Sequence, residues 1–131
     1  MSDLATLLQD AIYAALNVTA VTDLAPVYQH VPENTDPPVV IIGEIELQPR
    51  GGKDGGLYSA DVQIATLFRG PKRAGLYAIQ GAVSDALEGQ EITATGAILS
   101  KPVLIDRNGD MTEDGITYQG VQTYEVWVQP A

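Results

Sequence analysis

Asp106, Asn108 and Asp110 stand at alternate positions in the segment DRNGDMTEDG. Alternate oxygen ligands of this kind converge on one cation in a calcium loop. The segment then departs from that pattern. Met111 takes the place of the glycine that makes the sharp turn, Thr117 that of the distal bidentate glutamate, and the flanks read as strands rather than helices. Asn-Gly and Asp-Gly pairs are also what hairpin turns need, so the segment reads as turn chemistry and no metal is assigned. The stretch RGGKDGG, from Arg50 onward, lacks the Gly-Lys-Ser/Thr ending of a phosphate-cradling loop, and no helix follows to offer its N-terminus to an anion. His30 is the single histidine, and no cysteine or serine elbow supplies a nucleophile to pair with it. Glu44 and Glu46 lie two apart on a strand and so share a face. Solvated charges that discourage edge-to-edge pairing are the commoner use of such a pair. No catalytic residue, cofactor-binding residue or cofactor is assigned, and the chain is not read as an enzyme.

The charge balance limits the partners. Seventeen acidic residues against seven basic ones give a formal net charge of -10 over 131 residues, which repels phosphate backbones and anionic lipid. A sequence-reading nucleic-acid binder is therefore not expected, whereas a channel through which DNA slides without sticking tolerates this sign. No apolar run approaches the roughly 20 residues of a membrane span, no basic leader opens the chain, and absent cysteines suit synthesis in a cytoplasm. The length fits one domain, residues 1–131.

The elements are legible from their periodicity. Leu4, Leu7, Leu8, Ala11, Ile12, Ala15 and Leu16 recur at three- and four-residue steps and predict a helix over Ser2 to Leu16, with Ser2 as its cap and Asp3 at the positive end of its dipole. A linker from Val18 to Pro26, a short extended piece from Val27 to Val31 and a proline-rich loop from Pro32 to Pro38 follow. Strands are expected over Val39 to Gln48 and Ser59 to Arg69, separated by the glycine-rich hairpin loop Arg50 to Tyr58. Gly70-Pro71 breaks the second strand and starts a second helix, whose stripe is Leu76, Ile79, Val83, Ala86 and Leu87 and whose stop is Gly89. The stretch Gln90 to Ala97 is less regular. Strands over Ile98 to Ile105 and Ile116 to Gln129, joined by a polar loop from Asp106 to Gly115, complete the chain.

Hairpins require antiparallel pairing, so this order predicts an α+β fold: a mainly antiparallel sheet with two helices packed on one face and long β-hairpin loops. Ala65, Leu67, Val121 and Trp127 are opposite in parity to the apolar runs beside them, which gives the sheet a second, half-apolar side with no element left to cover it. Lys72 and Arg73 fall in the first turn of the second helix, where the dipole disfavours cations, and with Arg69 they form the one basic spot on an acidic chain. An interface is accordingly expected over Arg50, Lys53, Asp54, Arg69, Lys72, Arg73, Arg107 and Trp127, with the basic spot meeting acidic groups on a neighbour.

Read in order, the helix ending in AALN, the VYQHVPENTDPPVVIIGE stretch, the glycine-rich loop, the strand DVQIATLFRG, the helix AIQGAVSDALEG and the DRNGD…DGITYQGVQTYEVWV hairpin resemble the tail-completion, or tail-terminator, family of long-tailed phages, prophages and gene transfer agents. The resemblance implies a structural subunit that forms a ring of six copies at the head-proximal end of the tail of a virion or phage-like particle. Such a ring caps the tail tube and joins it to the head connector, with DNA only passing through its lumen and no membrane involved. Its partners would be further copies of itself, the tail tube protein and the head-tail connector protein. The alternative is another head-tail joining or minor tail adaptor protein, or a non-catalytic interaction module, which solution mass would separate from a closed ring.

Overall fold

The backbone of a computed structural model is described for residues 3–30, 32, 34–51, 56–112 and 114–131. The elements run α1 (Leu4–Leu16), α2 (Thr19–Thr22), β1 (Val27–Tyr28), β2 (Val39–Gly51), β3 (Leu57–Arg69), α3 (Ala74–Leu87), β4 (Ala97–Leu99), β5 (Val103–Met111) and β6 (Thr117–Pro130). They build one sheet in the order β1-β2-β3-β6, with β4 and β5 both paired to the far side of β6. Every ladder is antiparallel except the short parallel one between β1 and β2. The fold is α+β, as the element order predicts.

One face of the sheet carries the helices. Val40 and Ile42 of β2, Ala60, Val62 and Ile64 of β3, and Tyr124, Val126 and Val128 of β6 share it and are buried. Against them pack Leu8, Ala11, Ile12 and Leu16 from the stripe of α1, and Ile79, Val83 and Leu87 from that of α3. Each of the valine, leucine and isoleucine side chains among them contributes about 1.5–3 kcal/mol through its removal from water. Asp3, rather than Ser2, caps α1: its Oδ2 accepts from the amide of Ala5 at 3.1 Å, one of the donors a helix start leaves unpaired. Ser2 lies outside the described residues.

Five expectations need correction. The linker Val18 to Pro26 contains the one-turn helix α2, which buries Val21, so three helices rather than two flank the sheet. The strand expected over Ile98 to Ile105 is two pieces, β4 and β5; Ser100, Lys101 and Pro102 interrupt it, and proline supplies no amide to a ladder. The polar segment Asp106 to Gly115 is strand as far as Met111. Its pattern reads as a turn, but the second edge of β6 must be paired by something, because its amides and carbonyls sit beside a buried face. Lys72 and Arg73 lie just before α3 rather than in its first turn: Arg73 is the N-cap, and the first helical bond runs from Tyr77 N to Arg73 O at 3.2 Å. The glycine-rich loop is shorter than Arg50 to Tyr58, since β2 runs to Gly51 and β3 starts at Leu57.

Two close approaches set α3 onto the sheet. A Cβ built at Gly75 would fall 2.1 Å from Phe68 Cζ, so the ring of Phe68 takes the space a side chain would need. Gly109 and Gly120 stand opposite each other on β5 and β6. They leave a slot into which Leu76, Tyr77 and Gln80 of α3 descend, Leu76 Cδ2 coming within 3.0 Å of a Cβ at Gly109.

Candidate functional site

The charged candidates separate into two groups. Arg69, Lys72, Arg73 and Arg107, four of the seven basic residues, gather around the start of α3. Arg69 ends β3, donates from Nε to Thr117 Oγ1 at 3.2 Å, and lies 4.0 Å from Asp36. Lys72 is exposed in the turn before α3. The Arg73 guanidinium lies over the ring of Tyr118 at 5.6 Å. That of Arg107 lies over Tyr77 at 5.4 Å while its Nε donates to Gln80 Oε1 at 3.1 Å. Both stackings favour the cation through the negative face of the ring. A pocket of 480 Å3 opens here, lined by Tyr77, Arg107, Asn108 and Gly109.

At the other end of the sheet Arg50 donates from Nε to Ser59 Oγ at 2.8 Å and from Nη2 to Gln48 Oε1 at 2.9 Å. Ser59 is the cross-strand partner of Trp127, which keeps 39% of its surface exposed and flanks a 180 Å3 pocket with Leu57, Ile98 and Leu99. Lys53 and Asp54 lie outside the described residues.

The helix-free face of the sheet is not uniform along its strands. Toward β1 it is more apolar: Val39 and Leu67 share one row with the exposed Gln119, and Ile41, Ala65 and Val121 form the next. Val39 is buried, and Ile41, Ala65, Leu67 and Val121 are half-buried. Trp127 alone of the four apolar residues expected on this face is substantially exposed. Further along, Glu46 of β2 pairs with Asp61 of β3, and Asp61 with Glu125 of β6. Three acidic residues thus stand side by side on three neighbouring strands, whose backbones lie about 5 Å apart. Like charges directly opposite one another destabilise a sheet. Gln48 Nε2 donates to Glu46 at 3.4 Å and the Trp127 indole to Glu125 at 3.3 Å, both too long to offset much of that repulsion.

The row escapes a linear reading because its members are far apart in the chain and meet only through register. Gln80 and Gln122 also escape it. Both are wholly buried amides in apolar patterns. Gln80 Nε2 donates to Asn108 O at 2.9 Å, and Gln122 Nε2 to Gln80 O and Tyr124 Oη, each at 3.0 Å. Burial pushes the Tyr124 hydroxyl upward from its ordinary value, against a smaller lowering by Ser84.

The candidate calcium residues belong to this architecture rather than to a loop. On a strand Asp106, Asn108 and Asp110 project at steps of about 6.6 Å. Asn108 Oδ1 accepts from Val121 N at 3.2 Å and Asp110 Oδ1 from Met111 N at 2.8 Å. Among the described residues no group of three His, Cys, Asp or Glu side chains is placed to hold a metal ion. The turn itself is organised by Asp114. Its Oδ1 accepts from Ile116 N at 2.9 Å, Thr117 N at 2.8 Å and Thr112 Oγ1 at 2.9 Å, and its Oδ2 from Thr117 Oγ1 at 2.6 Å. The Thr117 hydroxyl first, then the amides of Ile116 and Thr117, hold its carboxyl far below the usual carboxylate range. His30 is exposed beyond β1, and a β-bulge interrupts β2 between Ile42 and Ile45, immediately around Glu44.

Comparison with known proteins bears on this arrangement. A chain in the virion of a native gene transfer agent particle has the same fold, with a TM-score of 0.88 at 22% identity over 98% of this chain and 99% of that one. The gp17 protein of bacteriophage SPP1 is more distant, with a TM-score of 0.55 at 22% identity over 95% and 91% of the two chains. No curated protein matches the sequence. The family described as tail completion protein gp17 matches residues 8–129, from the first buried leucine of α1 to the end of β6, and the chain belongs to that family.

Proposed function

We propose that this chain is a ring subunit that completes the tail of a phage or phage-derived particle, six copies capping the tail tube at its head-proximal end and joining it to the head connector. Membership of the tail completion family makes it a structural protein of phage tails; the ring, the cap and the junction are the finer claim. The observation that carries it is the one-sided sheet: all three helices take one face, and the other keeps half-buried apolar rows, an acidic row and Trp127. A surface of that kind is an interface in waiting, and a contact that uses different patches on the two partners closes into a ring when its rotation allows. The matching chain in a gene transfer agent virion supports a place inside a particle. The net charge of -10 supports a lumen through which DNA passes without adhering. The work is mechanical, with no cofactor and no catalysis.

Sedimentation of the purified chain, alone and with the tail tube protein of its own particle, tests the proposal. A closed oligomer of discrete mass is expected, and Arg69→Glu, Lys72→Glu and Arg73→Glu together should weaken it while leaving the monomer folded. A chain that remains monomeric in both conditions overturns the ring.

A further inference from the structure

We infer that the subunit contact in this ring is electrostatic and head-to-tail, the carboxylate row Glu46–Asp61–Glu125 of one copy receiving the Lys72, Arg73 and Arg107 cluster of the next. The inference rests on the ring reading and names the contact that closes it. Two sets of charges are left uncompensated among the described residues. Among the described residues the ion pair found is Arg69–Asp36, and it engages neither the acidic row nor Lys72, Arg73 or Arg107. The row is unfavourable in the isolated subunit, because directly opposed cross-strand carboxylates repel. Among the described residues its side-chain hydrogen bonds are the long contacts from Gln48 and Trp127. The two arginines are held ready rather than loose: each is stacked on a tyrosine, and the Gln80 bond fixes the plane of Arg107.

Placement fits. Tyr77 belongs to α3 and Tyr118 to the helix-bearing side of β6, whereas Glu46, Asp61 and Glu125 occupy the opposite side of the sheet. Patches on opposite sides of one molecule cannot satisfy each other across a two-fold axis. They can do so between successive copies around a ring. An arginine also suits this task better than a lysine, since its planar fork engages two carboxylate oxygens at once.

The neutral variant Glu46→Gln/Asp61→Asn/Glu125→Gln gives the sharpest test, read by sedimentation and by thermal melting. Relief of like-charge repulsion should leave Tm equal or higher, while the concentration needed for half-assembly rises at least about ten-fold. Raising NaCl from roughly 0.1 M to roughly 1 M, which shortens the screening length from about 10 Å to about 3 Å, should weaken the wild-type assembly and leave the neutral variant unaffected. Glu46→Lys/Glu125→Lys and Lys72→Glu/Arg73→Glu should each fail to assemble alone and should assemble when mixed in equal amounts. Wild-type rings that persist in the neutral variant with the same midpoint overturn this contact but keep the ring. A wild-type chain that never assembles, with the mixed charge-reversed pair equally monomeric, overturns the ring and the contact together.

Discussion

Gln80 of α3 lies directly over Gly120 of β6, so closely that a Cβ built on the glycine would come within 2.1 Å of Gln80 Nε2 and 2.8 Å of Asn108 O. The helix can therefore sink onto the β5–β6 ladder, where the Gln80 side chain bonds β5 and its backbone carbonyl accepts from Gln122 of β6. Gly120→Ala should cost about 1–3 kcal/mol through overpacking, read as a lower denaturation midpoint with an unchanged slope. Gly81→Ala, one residue beyond Gln80 with nothing within 4 Å of the added carbon, should instead stabilise by about 0.5–1 kcal/mol. Equal effects at the two sites would contradict the close approach.

Thr66 is wholly buried in β3, and its hydroxyl finds no hydrogen-bond partner among the described residues. An unpaired buried hydroxyl costs about 1–3 kcal/mol, and valine has nearly the same shape. Thr66→Val should raise stability by about 1 kcal/mol in chemical denaturation. A loss would mean that the hydroxyl is satisfied in solution.

Asp114 gives the β5–β6 turn an acid limit. Its folded-state pKa is lowered, chiefly by the Thr117 hydroxyl and the amides of Ile116 and Thr117. Its contribution is therefore present above the ordinary aspartate value of about 4 and is lost as pH falls through the lower folded value. Asp114→Ala should lower Tm at neutral pH and flatten the fall in stability between about pH 4 and the acid limit. Parallel acid profiles for wild type and variant would remove Asp114 from that role.

Tyr124 sets the opposite limit. Burial raises its folded-state pKa, so its contribution is complete below the ordinary tyrosine value of about 10 and is lost as pH rises from there through the folded value. Tyr124→Phe should cost about 1 kcal/mol at neutral pH, because Gln122 loses one acceptor and keeps the other on Gln80 O. The same variant should show less alkaline destabilisation, followed by circular dichroism against pH.

Calcium should not stabilise the chain. A ligand that binds the native state raises Tm, and the strand geometry of Asp106, Asn108 and Asp110 spreads their oxygens instead of gathering them. Tm is expected to stay constant from zero to millimolar calcium; a concentration-dependent rise would restore the segment as a cation site.

What the sequence settled by itself was local and periodic. Leu8, Ala11, Ile12 and Leu16 recur at helical steps and are buried together, and Val62, Ile64 and Thr66 alternate on the helix-bearing face of β3. Such patterns need only the pitch of a helix or the pleat of a strand, both fixed by the backbone itself. Family membership was legible too, because it follows the order of these elements. Strand extent, register and proximity were decided by the tertiary structure. DRNGDM carries the residues of a turn and becomes strand because the free edge of β6 offers it a ladder. Lys72 and Arg73 read as a helix start and instead precede it, leaving Arg73 over Tyr118. Glu46, Asp61 and Glu125 become neighbours only once β2, β3 and β6 are aligned, since a slip of one residue would send each to the other face of the sheet. The charge row thus exists only in the folded chain, because cross-strand neighbours are chosen by pairing energy summed over whole strands and not by the residues beside them in sequence.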